Sequence, residues 1–201
     1  DFTAPLLSDV KEIVVTGPES PAIVSIDDLS GREVFVRPSS SYHASLTALN
    51  ERFGKEGRPG VRLREAPENL EDEDLLEMLN AGLLEALVVD SHKAVFWNLV
   101  FSDLRLHEEI ALRSGGRIAW AIRKNSPLLR RELDGFVEKH AKGTAFGNEI
   151  LRRYLKNTRY VKNAASSAEM KKFRDLVRFF RQYGDRYSLD WILMAAQGYQ
   201  E

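Results

Sequence analysis

"EVFVRPSSSYHASLTALNERFGKEG", Glu33 to Gly57, changes its hydrophobic period partway along. Glu33–Val36 alternates, with Val34 and Val36 on one face, which is the two-residue period of a strand. Arg37-Pro38 and three serines follow, and then apolar residues recur at Ala44, Leu46, Leu49 and Phe53. That spacing is helical, with small hydroxyl residues at its start and glycine at its stop. A strand, a serine turn and an amphipathic helix in direct succession are the repeating unit of an α/β sheet.

The unit recurs downstream. "VRLREA" (Val61–Ala66) alternates as a strand, and Glu71–Gly82 reads as a helix with acids at its positive end and glycine at its close. Glu85–Asp90 is a buried strand, Ser91–Phe101 an apolar helix and Arg105–Leu112 another strand. From Glu33 to Leu112 the order is therefore β-α-β-α-β-α-β, which predicts a parallel sheet covered on both faces and joined by right-handed crossovers. Upstream, Lys11–Gly17 is a β-branched strand, Ala22–Ile26 is extended and Asp27–Gly31 turns. Gly116–Lys124 is predicted as a further strand. Ser126–Gly143 is a helix with a serine cap and Pro127 at its first position, and Thr144–Leu155 is another. "NTRYVKNAAS" reads as a polar linker. Ser166-Ser167-Ala168-Glu169 is then a capping box opening one helix, and a last helix starts near Ser188.

The composition is that of a folded domain, with 201 residues, 43% of them apolar and 29% charged. The net charge of −1 names no partner, and the absence of cysteine excludes disulfides and thiolate metal sites. No apolar run reaches the length of a membrane span. The chain begins at Asp1 and stops at Glu201 inside a helical pattern, so it is expected to be a piece of a longer or processed protein. Charge is uneven: Glu65–Glu77 holds seven acids and no base, while Leu151–Arg181 holds ten bases and two acids. Solvated helix faces account for both, and a surface that meets an anionic partner is the alternative.

Ligands of open α/β sheets bind at the carboxyl ends of strands. Ser39, Ser40 and Ser41 follow one such end, where hydroxyls and helix N–H groups would hold an anion; an ordinary N-cap is the alternative. Asp90 ends another strand, where it would receive an ammonium group or cap the next helix. Together they suit an amino acid or short peptide. His43, His92, His107 and His140 show no mutual ligand spacing, so no metal site is expected. Trp97, Trp120 and Trp191 are expected in the core. No phosphate-binding glycine loop and no nucleophile elbow is present, and no cofactor is predicted.

"DFTAPLLSDVKEIVVTGP", "VFVRPSSSYHASLTAL", "EDEDLLEMLNAGLLEALVVDSHKAVF" and "LDGFVEKHAKGTAFGNEILRRYL" resemble family 3 solute-binding proteins, two-lobed periplasmic receptors for amino acids. The resemblance implies a type II periplasmic-binding-protein-like second lobe with a parallel-rich sheet, followed by C-terminal helices. Residues 1–23 would be the end of the first lobe and a crossing strand, and 24–113 the second lobe. Residues 114–160 would be a return crossing strand and first-lobe helices. "FRQYGDRYSLDWILMAAQGYQE" resembles the opening of a lytic transglycosylase domain, placing 161–201 in a linker and that domain's first helices. Glu201 then falls where that family has its acid/base, a single carboxyl that protonates the glycosidic oxygen and afterwards deprotonates the sugar's own hydroxymethyl. Without the resemblance, Glu201 is an ordinary helix residue.

The expected function is a ligand-sensing module of a peptidoglycan lytic enzyme, with an amino acid or muropeptide-like ligand, a periplasmic location and outer-membrane association of the whole protein. The chain alone is expected to be inactive. A transporter's solute receptor is the alternative, and the residues from Ser166 onward, which such a receptor would lack, discriminate the two. Nucleic acid is not an expected partner, since Phe173, Phe179 and Phe180 in the basic stretch sit at packing spacing.

Overall fold

A computed structural model describes residues 1–155 and 167–200. The polar linker, Ser166 of the capping box and Glu201 lie outside the described residues. In chain order the elements are β1 (Leu7–Thr16), β2 (Glu33–Val36), α1 (Ser41–Lys55), β3 (Arg62–Glu65), α2 (Asp72–Asn80), β4 (Ala86–Asp90), α3 (Ser91–Trp97), β5 (Arg105–Ile118), α4 (Pro127–His140), α5 (Ala145–Leu155), α6 (Ser167–Tyr187) and α7 (Trp191–Gln200).

The strands form one sheet in the order β3-β2-β4-β1-β5. β2 is parallel to β3 and β4, while β1 is antiparallel to both of its neighbours. The fold is α/β with a mixed, parallel-rich sheet. This corrects the wholly parallel series predicted for Glu33–Leu112, because β5 lies across β1 and does not border β4. The cause is β1 itself. Ile13, Val14 and Val15 are consecutive and completely buried. Such a run needs cover on both faces and partners on both edges, so it takes an interior position in the sheet, between β4 and β5.

Arg105–Leu112 and Gly116–Lys124, predicted as two strands, are one strand ending at Ile118. The Ser114-Gly115-Gly116 stretch does not break it, because several register shifts against β1 absorb the irregularity. At Gly116 a Cβ would stand 2.9 Å from the Val10 carbonyl oxygen, so only glycine lets the strands approach there. Beyond Ile118 only a bridge between Phe2 and Ala121 continues the pairing. The predicted extended stretch Ala22–Ile26 instead runs into a 3-10 turn over Ile26–Leu29, held by Asp28 accepting the Val24 and Ser25 N–H groups at 2.8 and 2.9 Å.

The core lies between the sheet and its helices. Leu46 and Phe53 of α1, Leu76 and Leu79 of α2, and Leu87 and Val89 of β4 are each at most 1% exposed. α3 stops at Trp97, whose carbonyl accepts both Val100 and Phe101 N–H groups in the turn that follows. The last helix begins at Trp191, not near Ser188, since Asp190 caps it by accepting the N–H groups of Ile192 and Leu193.

α6 and α7 pack as a hairpin with a close contact at Gly184, where a Cβ would meet the Trp191 Cβ at 2.7 Å. The hairpin is pinned to the end of α2. Arg181 donates to the carbonyls of Gly82 (3.1 Å) and Leu83 (2.7 Å), with its guanidinium 4.6 Å from the Trp191 ring centre. Phe179, expected to pack inward, is exposed together with Leu176, Tyr183 and Tyr187 along one face of α6. Of the tryptophans, Trp97 packs on the core and Trp120 is exposed at 39%.

Val88 is 3% exposed at the centre of β4. Burying a valine is worth about 1.5–3 kcal/mol, and an unpaired buried carboxylate adds a further cost, so Val88→Asp is expected to unfold the sheet. A melting curve matching that of the unsubstituted chain would contradict this placement.

Candidate functional site

Because β2, β3 and β4 are parallel, the loops after them meet at one edge of the sheet. The serine turn and Asp90, far apart in sequence, are neighbours there. The Asp90 N–H donates to the Tyr42 hydroxyl at 3.1 Å, which joins the end of β4 to the first turn of α1.

The three serines have different partners. Ser40 is the N-cap of α1, accepting the His43 N–H at 3.3 Å and donating to the Arg37 carbonyl at 2.8 Å. Ser39 offers its backbone N–H and its hydroxyl to the carboxylate of Glu68, at 2.9 and 2.5 Å. The Ser41 hydroxyl donates to Glu12 at 2.9 Å, joined on the next helical turn by Ser45 at 2.5 Å. Ser40 thus caps the helix, while Ser39 and Ser41 bond carboxylates of the chain itself.

Asp90 stands at the cap position of α3, yet its side chain makes no capping hydrogen bond. It is half-buried, and burial pushes its carboxyl above the usual range; nearby His92 and Lys93 oppose the shift, while Glu12 and Asp72 add to it. Glu12 is Asp90's partner in the antiparallel register of β1 and β4. Directly opposed residues of such a pair project from the same face within about 4.5–5.5 Å at Cβ. Two carboxylates therefore face the same space. Glu12 is 5% exposed and has one cation within reach among the described residues, the outlying Arg113 at 3.8 Å. Like charges placed so repel unless a cation lies between them.

Behind this pair is a second buried acid. Asp72, on the first turn of α2, is 2% exposed. It accepts Arg37 at 3.2 Å, the Tyr42 hydroxyl at 3.3 Å and Lys93 at 2.5 Å. Glu71 takes the other arm of Arg37 at 3.1 Å. Burial, with the Asp72 and Asp90 charges nearby, pushes the Tyr42 hydroxyl far above its usual range, so it stays protonated and donates to Asp72. His92 beside Asp90 is shifted down by burial and is neutral at pH 7; its Nδ1 is buried with no hydrogen-bond partner among the described residues.

Glu12, Asp72, Tyr42 and Glu68 were not singled out from the sequence. Glu12 carried a usable signal, an acid directly before the apolar Ile13–Val15 run of β1. Asp72 and Glu68 were hidden inside the acidic stretch, where every carboxylate looks alike. Among the described residues no group of three or more His, Cys, Asp and Glu has the arrangement to hold a metal ion. His107 bonds Thr16 at 2.9 Å, and His140 packs between Phe136 and Phe146.

The shift on Asp90 has a consequence for stability. A carboxyl raised on folding binds its proton more tightly in the folded chain than in the unfolded one, whose value is about 3.9. Stability is therefore lost as pH rises from about 4 through the folded value. Asp90→Asn is expected to melt higher than the unsubstituted chain at pH 7, the difference closing below about pH 4. Parallel pH profiles from pH 3 to 8 would show that burial does not penalise this carboxylate.

No family model matches the chain. Curated relatives do. Membrane-bound lytic murein transglycosylase F of Desulfosudis oleivorans is 28% identical over the whole chain and 43% of its own length. The protein of the same name from Pseudomonas fluorescens is 25% identical over 87% of the chain and 35% of its own length. The chain thus spans under half of the relatives it matches. Among solved structures, a putative binding component of an ABC transporter from Wolinella succinogenes, complexed with lysine, covers 81% of the chain and 66% of its own, with a TM-score of 0.59 at 17% identity. An ancestral arginine-binding protein bound to glutamine covers 78% and 64%, with a TM-score of 0.57 at 18% identity. In sequence the chain is similar to proteins named membrane-bound lytic murein transglycosylase F, and in fold to family 3 solute-binding proteins.

Proposed function

We propose that the chain is the ligand-sensing, solute-binding module of a peptidoglycan lytic transglycosylase, together with the first helices of the catalytic domain. The observation that carries the ligand reading is the opposed pair Glu12 and Asp90 at the carboxyl edge of the sheet. An ammonium group there relieves the repulsion of two carboxylates and gains charge-assisted hydrogen bonds. Ser39, Ser40 and Ser41 lie across the same edge and supply the contacts to the ligand's other end. An amino acid or muropeptide-like small molecule with a free amine fits this chemistry. Glu201 is proposed as the acid/base of the whole enzyme, which would act on murein by non-hydrolytic cleavage to anhydro-muropeptides. No helix among the described residues is long and apolar enough to cross a membrane. The module is proposed to work in the periplasm, with any membrane attachment supplied from elsewhere in the whole protein.

A second reading, the solute receptor of a transporter, draws on the fold shared with the Wolinella succinogenes binding component. The α6–α7 hairpin and a similarity to the transglycosylase relatives that runs the whole length of this chain favour the first reading.

Two measurements test the proposal. Amino acids and short muropeptides are titrated by calorimetry into the protein bearing both lobes, with and without Asp90→Asn. Loss of one charge-assisted hydrogen bond costs about 1.5–3 kcal/mol, so the variant is expected to bind about ten- to a hundredfold more weakly. Equal affinities would remove Asp90 from the site. The 201-residue chain, incubated with murein sacculi, is expected to release no anhydro-muropeptides, whereas the whole protein does. No release by the whole protein would contradict the enzyme reading, and release by the chain alone would contradict its expected inactivity.

A further inference from the structure

The loop between β3 and α2 carries a carboxylate into the serine turn. β3 lies parallel to β2, and the Ala66 N–H still donates to the Val36 carbonyl at 3.0 Å, so the two strands end side by side. The next residues, Pro67 to Leu70, close a turn through a 3.0 Å bond from the Leu70 N–H to the Pro67 carbonyl. Glu68 at its apex is thereby aimed back at Ser39. Its two oxygens divide the work, Oε1 accepting the Ser39 N–H at 2.9 Å and Oε2 the Ser39 hydroxyl at 2.5 Å. A free carboxylate bound at this turn would use the same two donors.

We infer that Glu68 is a tethered internal carboxylate that occupies the anion-accepting position of the serine turn, and so determines specificity against ligands that present a carboxylate there. The inference rests on the ligand site proposed above and specifies which end of the ligand that site resists. Three further facts bear on it. The Ser39 hydroxyl bond, then its backbone bond and the Arg37 charge, hold the Glu68 carboxyl below its usual range, so the competitor is ionised throughout the neutral range. The Ser41 hydroxyl is already given to Glu12, which leaves no second serine hydroxyl at the turn in reserve. Glu68 is also exposed, so it can leave without opening the core. A ligand carboxylate must displace it, while an amide or a neutral end meets no such competition. The site then favours amines whose carboxyl end is amidated, peptide-linked or absent.

Acetate is the probe, titrated against backbone amide signals by NMR at constant ionic strength with chloride as the replaced ion. In the unsubstituted chain the Ser39 amide is expected to shift little. In Glu68→Ala it is expected to shift saturably, with apparent affinity higher on the order of tenfold, because a tethered group competes at an effective concentration in the millimolar range. Glu68→Gln keeps the tether without the charge and is expected to fall between the two. Identical acetate titrations in all three proteins, or no saturable shift at Ser39 in Glu68→Ala, would overturn the inference. Neither outcome touches the ammonium end, which Asp90→Asn tests separately, so the two proposals fail independently.

Discussion

Asp72 is the contact on which the candidate site depends. A carboxylate withdrawn from water costs several kcal/mol unless donors surround it. Here the donors come from three other elements: Arg37 from the end of β2, Tyr42 from α1 and Lys93 from α3. Asp72 itself opens α2. One buried acid thus ties together the loops after β2, β3 and β4, which are the loops that form the carboxyl edge. Tyr42 extends the tie, since its hydroxyl donates to Asp72 and accepts the Asp90 N–H. The position of Asp90 is set by a hydrogen-bond chain that begins at Arg37, the residue after β2.

Forward of that hub, charge is arranged against stability. Glu12 and Asp90 oppose each other in register. Burial raises the Asp90 carboxyl further. Neither effect helps the chain fold, and the cation proposed to bind there would relieve both. Sites of this kind carry a stability cost that ligand binding offsets. The serine turn is the reverse case, with its donors satisfied in advance by Glu68 and Glu12. At one end of the proposed ligand site two acids stand opposed, and at the other the donors are already taken by the chain's own carboxylates.

Much of this was legible in the sequence. Strand β2, the serine cap of α1 and the buried strand ending at Asp90 follow from hydrophobic period and capping chemistry, which are local. The meeting of Ser39–Ser41 with Asp90 followed from parallel strands sharing an edge. The direction of β1 was not legible, because Lys11–Gly17 is equally apolar in either orientation and pairing is a long-range choice. The merging of two predicted strands into β5 has the same origin: Gly115 and Gly116 read locally as a break, but the close approach to Val10 is a reason for glycine within a strand. The roles of Glu12, Glu68 and Asp72 depend on partners 21 or more residues away, which no local pattern encodes. At the other end of α2, Arg181 joins the C-terminal hairpin to the carbonyls of Gly82 and Leu83 through the same kind of distant contact.

The most direct measurement of this account is the backbone amide spectrum and melting curve of Asp72→Asn. Removing one partner from a buried ionic cluster typically costs about 3–5 kcal/mol. The account predicts a clear fall in melting temperature, with shifts at Ser39–Tyr42, Asp90 and Lys93 as large as those beside residue 72. An unchanged melting temperature, with shifts confined to the first turn of α2, would show that the edge is assembled without Asp72 and contradict the central claim.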